Sequence, residues 1–254
     1  MFAKEHYPYI GFSFTASKFL ITTGWNGNYV TKSEIIDLSK LGNYQCPDWV
    51  DYPIEVQGAT GGLLGTIPII CGGYPATDEC YKITAKEVVL VVKMTTKRAG
   101  AASVTINSTS LWITGGLNGN NVLSSSEFVQ MEGTMPGPEL PIAVYYHAMI
   151  NTRNDLTMVI GGKTTGNYYS AKTFYYNHNY GNWSDGPKLN QGRENHAVGI
   201  VTDEATHEKL VIVTGGYNGF NLKSTEILIS DAWSLGEKNS FGNRELCKDR
   251  VYTS

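Results

Sequence analysis

Hydrophobic and polar positions alternate along this chain in short blocks, and one block arrangement repeats. Its clearest copy is residues 210–229, LVIVTGGYNGFNLKSTEILI. An apolar run, Leu210-Val-Ile-Val, ends in Thr214-Gly215-Gly216. A polar turn with Asn218-Gly219 follows, then a second apolar run, Ile227-Leu-Ile, introduced by Glu226. Two short apolar segments around a Gly and Asn-Gly turn predict a β-hairpin. Four more copies lie upstream. Phe19-Leu-Ile-Thr-Thr-Gly24 leads to Ser33-Glu34-Ile35-Ile36, and Pro68-Ile-Ile-Cys-Gly72-Gly73 leads to Glu79-Cys80-Tyr81. Leu111-Trp-Ile-Thr-Gly115-Gly116 leads to Ser126-Glu127-Phe128, and Met158-Val-Ile-Gly161-Gly162 to Lys172-Thr173-Phe174-Tyr175. The last glycine of each run falls at 24, 73, 116, 162 and 216, so the steps are 49, 43, 46 and 54 residues. A fixed period in this range marks a repeat architecture with one supersecondary unit per period.

Two flanking features keep the same phase. Before each glycine run lies a small or aromatic segment: Tyr9-Ile-Gly-Phe-Ser-Phe, Gly58-Ala-Thr-Gly-Gly, Ala101-Ala-Ser-Val, His147-Ala-Met-Ile and His196-Ala-Val-Gly-Ile. After the hairpin a fourth segment carries a tryptophan in three copies, Trp49, Trp183 and Trp233. Arg193-Glu-Asn-His196-Ala, Gly215-Gly216, Thr225-Glu226 and Trp233 together resemble the kelch repeat, and the resemblance covers roughly residues 7–240. It implies an all-β kelch-type β-propeller with five recognisable four-stranded blades. The expected blades are 7–53, 54–96, 97–140, 141–191 and 192–240, with 241–254 as a tail and residues 1–254 forming one domain. The tail and the short lead-in cannot build another blade, so two readings stand: five blades close the ring, or the chain is part of a six-bladed one. A four-stranded blade cannot bury both faces alone, so blades stack around an axis. The Gly, Glu and Trp positions read as architecture, with tryptophan on the outer strand packing between blades.

Composition narrows the function classes. The net charge is −3 and no basic run exists, so the sequence offers no electrostatic footprint for nucleic acid. No apolar stretch reaches the ~20 residues of a membrane-spanning helix. The first residues lack a signal-peptide apolar core, which reads as cytoplasmic if Met1 is the true start and as extracellular if the chain is a fragment of a secreted protein. Cys71 and Cys80 fall on the expected second and third strands of one blade, antiparallel neighbours between which a bridge is geometrically feasible. Cys46 and Cys247 lie elsewhere, and reduced thiols throughout are the alternative. Asn107-Ser-Thr and Asn182-Trp-Ser fit the glycosylation acceptor pattern.

Candidate binding residues follow from the blade reading. Loops joining strands two to three, and strand four to the next strand one, open on the same face. There they carry Trp25, Asn26, Tyr29, Tyr74, Arg98, Tyr146, Tyr168, Tyr169, Arg193, Asn195, Tyr217 and Phe220. Rigid aromatics supply area while amides and guanidinium supply directional hydrogen bonds, a mixture suited to recognition. Arg98 and Arg193 hold the family's repeated arginine position, which either lines the channel to meet an acidic partner or bonds carbonyls of a neighbouring blade.

The resemblance implies a non-enzymatic module binding a protein or peptide partner on this face, with no cofactor and no metal. An extracellular glycan-binding propeller is the alternative. A copper-radical oxidase of galactose-oxidase type is the third, and it needs two His, two Tyr and a Tyr–Cys crosslink on one metal. Of the five histidines, His147 and His196 share one repeat phase, which explains them without a metal. No Gly-x-Ser-x-Gly elbow or P-loop ending is present.

Overall fold

A computed structural model describes residues 10–15, 18–25, 27–37, 39, 50–153, 155–203 and 206–236. These residues form five antiparallel sheets in sequence order, with no helix among them. The first sheet holds β1 (Ile10–Thr15), β2 (Lys18–Thr22) and β3 (Ser33–Asp37). The second holds β4 (Thr60–Leu64), β5 (Ile67–Cys71), β6 (Thr77–Ile83) and β7 (Val88–Arg98). In the third, β8 (Ala102–Ile106) and β9 (Ser110–Thr114) are followed by a small ribbon, β10 (Leu117–Asn118) with β11 (Asn121–Val122). β12 (Ser126–Gln130) and β13 (Gly133–Pro136) complete that sheet. β14 (Val144–Tyr145) leads into the fourth, made of β15 (Ala148–Arg153), β16 (Leu156–Ile160), β18 (Thr173–Asn177) and β19 (Asn182–Asp185). Between β16 and β18, β17 (Lys163–Thr164) pairs back onto β14. The fifth holds β20 (Ala197–Thr202), β21 (Lys209–Thr214), β22 (Thr225–Ile229) and β23 (Ala232–Leu235).

The apolar runs recognised in the sequence are the second strands. β5, β9 and β16 read as near-continuous hydrophobic stretches because sheets cover both their faces. The innermost strands β1, β4, β8, β15 and β20 pack against one another in that order. The core therefore lies in layers between successive sheets. Leu20 and Ile35 meet Ile70, Tyr81 and Ile83, while Ile69 and Met94 meet Leu111, Ile113 and Val129. Trp112 faces Val159 and Trp183, and Met158 and Ile160 face Val211, Val213 and Trp233. Each fully buried large aliphatic side chain contributes about 1.5–3 kcal/mol.

Two backbone contacts recur at the joints between sheets, the first at four of them and the second at three. The second glycine of each run donates its N–H to a carbonyl in the connection entering the next sheet. These bonds are Gly24 to Val56 (3.1 Å), Gly73 to Arg98 (2.8 Å), Gly116 to Val144 (2.9 Å) and Gly162 to Arg193 (2.8 Å). Two residues further along each connection, a second ladder runs around the axis. Gly100 N–H donates to Gly58 (2.7 Å), Tyr146 to Gly100 (2.7 Å) and Asn195 to Tyr146 (3.0 Å). All four residues of this ladder have positive φ, 61°, 62°, 52° and 52° in chain order. The first glycine of the run lets the sheets approach: at Gly115 (φ 59°) a Cβ would run into the Val144 carbonyl and the His147 ring.

One sequence expectation is corrected here. In the second copy Glu79 does not hold the position of Glu127 and Glu226. Cys71 pairs with Cys80 as Thr114 pairs with Ser126, so Tyr81 takes the glutamate's place. Trp49, Cys46 and Cys247 lie outside the described residues.

Candidate functional site

The loops joining second to third strands meet the connections between sheets at one end of the molecule. Gln57 bridges to Tyr74, Ala99 to Leu117, Tyr145 to Lys163 and Glu194 to Tyr217. On this face Trp25, Tyr74, Tyr168, Tyr217 and Phe220 are exposed, Tyr168 and Phe220 most of all at 73% and 65%. Tyr29 is half-buried edge-on to Trp25, ring centroids 4.9 Å apart. Tyr169 is half-buried under Tyr217 at 5.8 Å. Tyr146 lies over Gly100 beside the axis, and Asn195 is exposed. Asn26 lies outside the described residues. A cavity of about 510 Å³ opens among the same loops, between Ile142 and Ala143 on one side and Thr164, Tyr168 and Ser170 on the other.

Arg98 and Arg193 must be removed from the exposed surface. Both side chains are buried, at 1% and 0% exposure. Arg98 Nε donates to Glu127 at 3.0 Å, its Nη1 to the carbonyls of Gly115 and Ser125, and its Nη2 to Ser125 Oγ. Arg193 repeats the arrangement with Glu226 (2.6 Å), the carbonyls of Gly215 and Ser224, and Ser224 Oγ. Both arginines bond backbone carbonyls, as one of the two readings had it, but those of the sheet each leads into rather than of a neighbouring blade, and each also pairs with a glutamate there. At the same register the fourth sheet has Val144 with Phe174, and the second has Val56 with Tyr81, so ion pair and apolar pair replace each other as units. Glu34, the first sheet's equivalent, is exposed.

Sequence reading passed over the charged pair at the centre of this face. Glu194 is buried, and its Oε2 has no hydrogen-bond partner among the described residues. Lys163 Nζ stands 3.8 Å from Oε1 and 5.0 Å from the centre of the Tyr169 ring. Burial raises the Glu194 carboxyl above its usual range, with Lys163 opposing. The missing signal was the place of Glu194 between Arg193 and Asn195, a connection position that pairs with a turn residue.

The joint histidines are neutral. His147 Nε2 lies 2.8 Å from Thr114 Oγ1, and burial, with His196 as a second cause, pushes its pKa down to about 3. His196 falls to about 3 by burial and then by the charge of Arg193. A histidine held below its unfolded value near 6.5 leaves stability intact above that pH. Stability is then lost as pH falls from 6.5 toward 3, by about 1.4 kcal/mol per unit for each group. The urea midpoint should fall between pH 7 and pH 5, and the double variant His147→Asn, His196→Asn should flatten that slope. A wild-type midpoint equal at both pH values would contradict this. Among the described residues no three His, Cys, Asp or Glu side chains gather as a metal site.

Cys71 and Cys80 stand directly opposite each other on β5 and β6 and are joined as a disulfide. At the same register the first sheet places Thr22 and Ser33 hydroxyls 2.7 Å apart, and the fifth Thr214 and Thr225 at 2.9 Å. Replacing the pair by Cys71→Thr with Cys80→Ser should therefore fit sterically and cost about 2–3 kcal/mol, from the short loop the bond closes. Urea unfolding with and without reductant measures it: reductant should lower the wild-type midpoint and leave the variant's unchanged. Asn107, in the turn between β8 and β9, and Asn182, the first residue of β19, are both exposed at the opposite end from the aromatic face.

These sheets and joints define an all-β fold of the propeller type, and its repeats resemble the kelch repeat. Kelch-like protein 41b of Danio rerio is 31% identical over 80 residues, which is 32% of this chain and 12% of that protein. The chain thus spans only a small part of that relative's length. The solved structure of YjhT superposes with a TM-score of 0.73 at 14% identity, covering 89% of this chain and 82% of that one, a likeness of fold. No family model matches the chain.

Proposed function

We propose that this propeller is a non-enzymatic recognition module that binds a protein partner, through an extended peptide segment, on the face formed by the two-to-three loops and the connections between sheets. One observation carries the reading. Six aromatic side chains are exposed among the described residues, and five of them, Trp25, Tyr74, Tyr168, Tyr217 and Phe220, stand on that face, with Tyr180 alone elsewhere. Exposed aromatics gathered on one end mark interaction sites, since burying them releases far more water-exposed apolar area than scattered residues would. The buried carboxylate of Glu194 adds an acceptor for a donor on the partner, and the partial match to a kelch-like protein supports a protein ligand. Tyr29, Tyr146, Tyr169 and Asn195 complete the proposed contact surface.

Selection of a random-peptide display library on the purified protein tests this. Selected peptides should bind saturably, and the paired variant Tyr168→Ala, Phe220→Ala should weaken them at least about tenfold, as the loss of two interface anchors implies. Peptides that bind the variant as tightly as the wild type would overturn the reading. A parallel glycan array should give no binding that Tyr168→Ala or Tyr29→Ala abolishes; such binding would establish the glycan alternative instead.

A further inference from the structure

The fourth sheet departs from the other repeats at one pair of surface positions. In the first, third and fourth sheets, the segment entering the third strand is bonded to the connection that leaves the sheet. Tyr52 N–H donates to the Thr31 carbonyl (2.7 Å), Leu140 to Ser124 (2.8 Å) and Leu189 to Ala171 (2.9 Å), and Tyr52, Leu140 and Leu189 are all buried. The residues beside these bonds are Lys32 with Asp51, Ser125 with Glu139, and Lys172 with Lys188. In the first sheet they meet as an ion pair, Lys32 Nζ to Asp51 Oδ2 at 2.8 Å. In the fourth both are exposed cations, and neither forms an ion pair among the described residues. Like charges on positions whose side chains can meet repel, and an anion between them removes that cost.

The cavity of about 510 Å³ opens beside Lys172, and no Asp or Glu lines it. Ile142, Ala143 and Ala171 give it an apolar wall, while Thr164, Thr165 and Ser170 add hydroxyls. Ser170 is buried, and its Oγ accepts the Lys172 backbone N–H at 3.1 Å, so its own O–H remains a donor. An ammonium and a hydroxyl beside an apolar wall suit a carboxylate on a short methylene stem. The head takes charge-assisted hydrogen bonds and the stem covers the apolar side chains. Lys163, on the neighbouring part of the loop, already faces Glu194, so Lys172 and Lys188 give this part of the face its net positive charge.

We propose that this cavity is the subsite for an acidic side chain, aspartate or glutamate, of the peptide segment bound on the aromatic face. The inference rests on the peptide-binding reading above and adds the charge of the partner to it. The carboxylate bridges Lys172 and Lys188 and accepts from Ser170 Oγ. Tyr168, exposed at the cavity, packs on the adjoining part of the peptide.

The probe is the random-peptide display library applied to the full chain. Selected peptides should share an Asp or Glu at a fixed distance from their apolar anchor. Exchanging that residue for Asn or Gln in the synthetic peptide should weaken binding at least about fivefold by fluorescence anisotropy. Added salt should shrink the difference, because the lysines are exposed. Lys188→Asp in the protein should cause a similar loss without lowering the urea midpoint, since it gives Lys172 the acidic neighbour that Lys32 has in Asp51. Peptides that need Tyr168 and Phe220 yet bind the Lys188→Asp protein as tightly as the wild type would overturn the subsite alone and leave the recognition module standing. Failure to select any peptide would overturn both. Selected peptides that share Arg or Lys at that position would also overturn the subsite. So would a phosphoserine exchange that tightens binding more than about tenfold, by assigning the lysines to a phosphate.

Discussion

Arg193→Ala is expected to lower stability by about 3–5 kcal/mol, because it leaves a buried carboxylate without its cation. Glu226 is 0% exposed, and besides Arg193 it accepts the Asn190 and Gln191 backbone N–H groups. Removing the guanidinium strands that charge, takes the Nη1 donor from the Gly215 carbonyl, and leaves the Ser224 carbonyl with only the Gly215 N–H. The equivalent positions carry no charge in the fourth sheet, where Val144 and Phe174 are buried, or in the second, where Val56 and Tyr81 pack in one cluster. Replacing both members together, Arg193→Val with Glu226→Phe, should therefore recover a good part of the loss. Trading a buried ion pair for packed apolar groups is often close to neutral. Urea denaturation of the wild type, both single variants and the double variant forms a cycle that measures the coupling directly. A double variant as unstable as the sum of the singles would show that the arginine acts mainly through the carbonyls.

Trp112→Ala should cost about 3–5 kcal/mol, as truncation of a fully buried large aromatic does. Trp112 sits at 0% exposure between the third and fourth sheets, and its Nε1 donates to Ser126 Oγ at 2.9 Å. Phe128, Tyr176 and Trp183 surround its ring, with centroids 5.6, 5.0 and 5.7 Å away. Losing the indole removes the shared contact of three aromatics on two sheets. The near-UV circular dichroism should change together with the urea midpoint. Trp112→Phe keeps most of the ring and should cost clearly less. Equal destabilisation by both variants would assign the effect to the lost hydrogen bond instead.

The repeat was legible because its cause is local. Apolar second strands, the glycines that let sheets approach and the Asn-Gly turn each leave a mark within a few residues. Trp233 was read as packing between sheets, and it does so, bonding the Pro187 carbonyl at 2.9 Å. Trp112 was not singled out, since an apolar residue inside an apolar run carries no separate signal. The arginines show the limit differently. Their position in the repeat was evident, but burial depends on the glutamate on a neighbouring strand, and one-dimensional spacing left two orientations open. Glu79 was misplaced by two residues because the paired Cys71 and Cys80 stand closer in sequence than Thr114 and Ser126 do, so the offset from the glycines differs between copies. The pairing of Lys163 with Glu194 needed the loops of two sheets brought together, and no local pattern encodes that.

The most direct test of recognition on the aromatic face is amide hydrogen exchange on the full chain, with and without a display-selected peptide. Binding as proposed should protect amides around Tyr74, 166–170 and 217–221, and leave the opposite loops at 65–66, 107–109 and 178–182 exchanging as before. Protection confined to those opposite loops, or to the outer strands β13 and β19, would contradict the account.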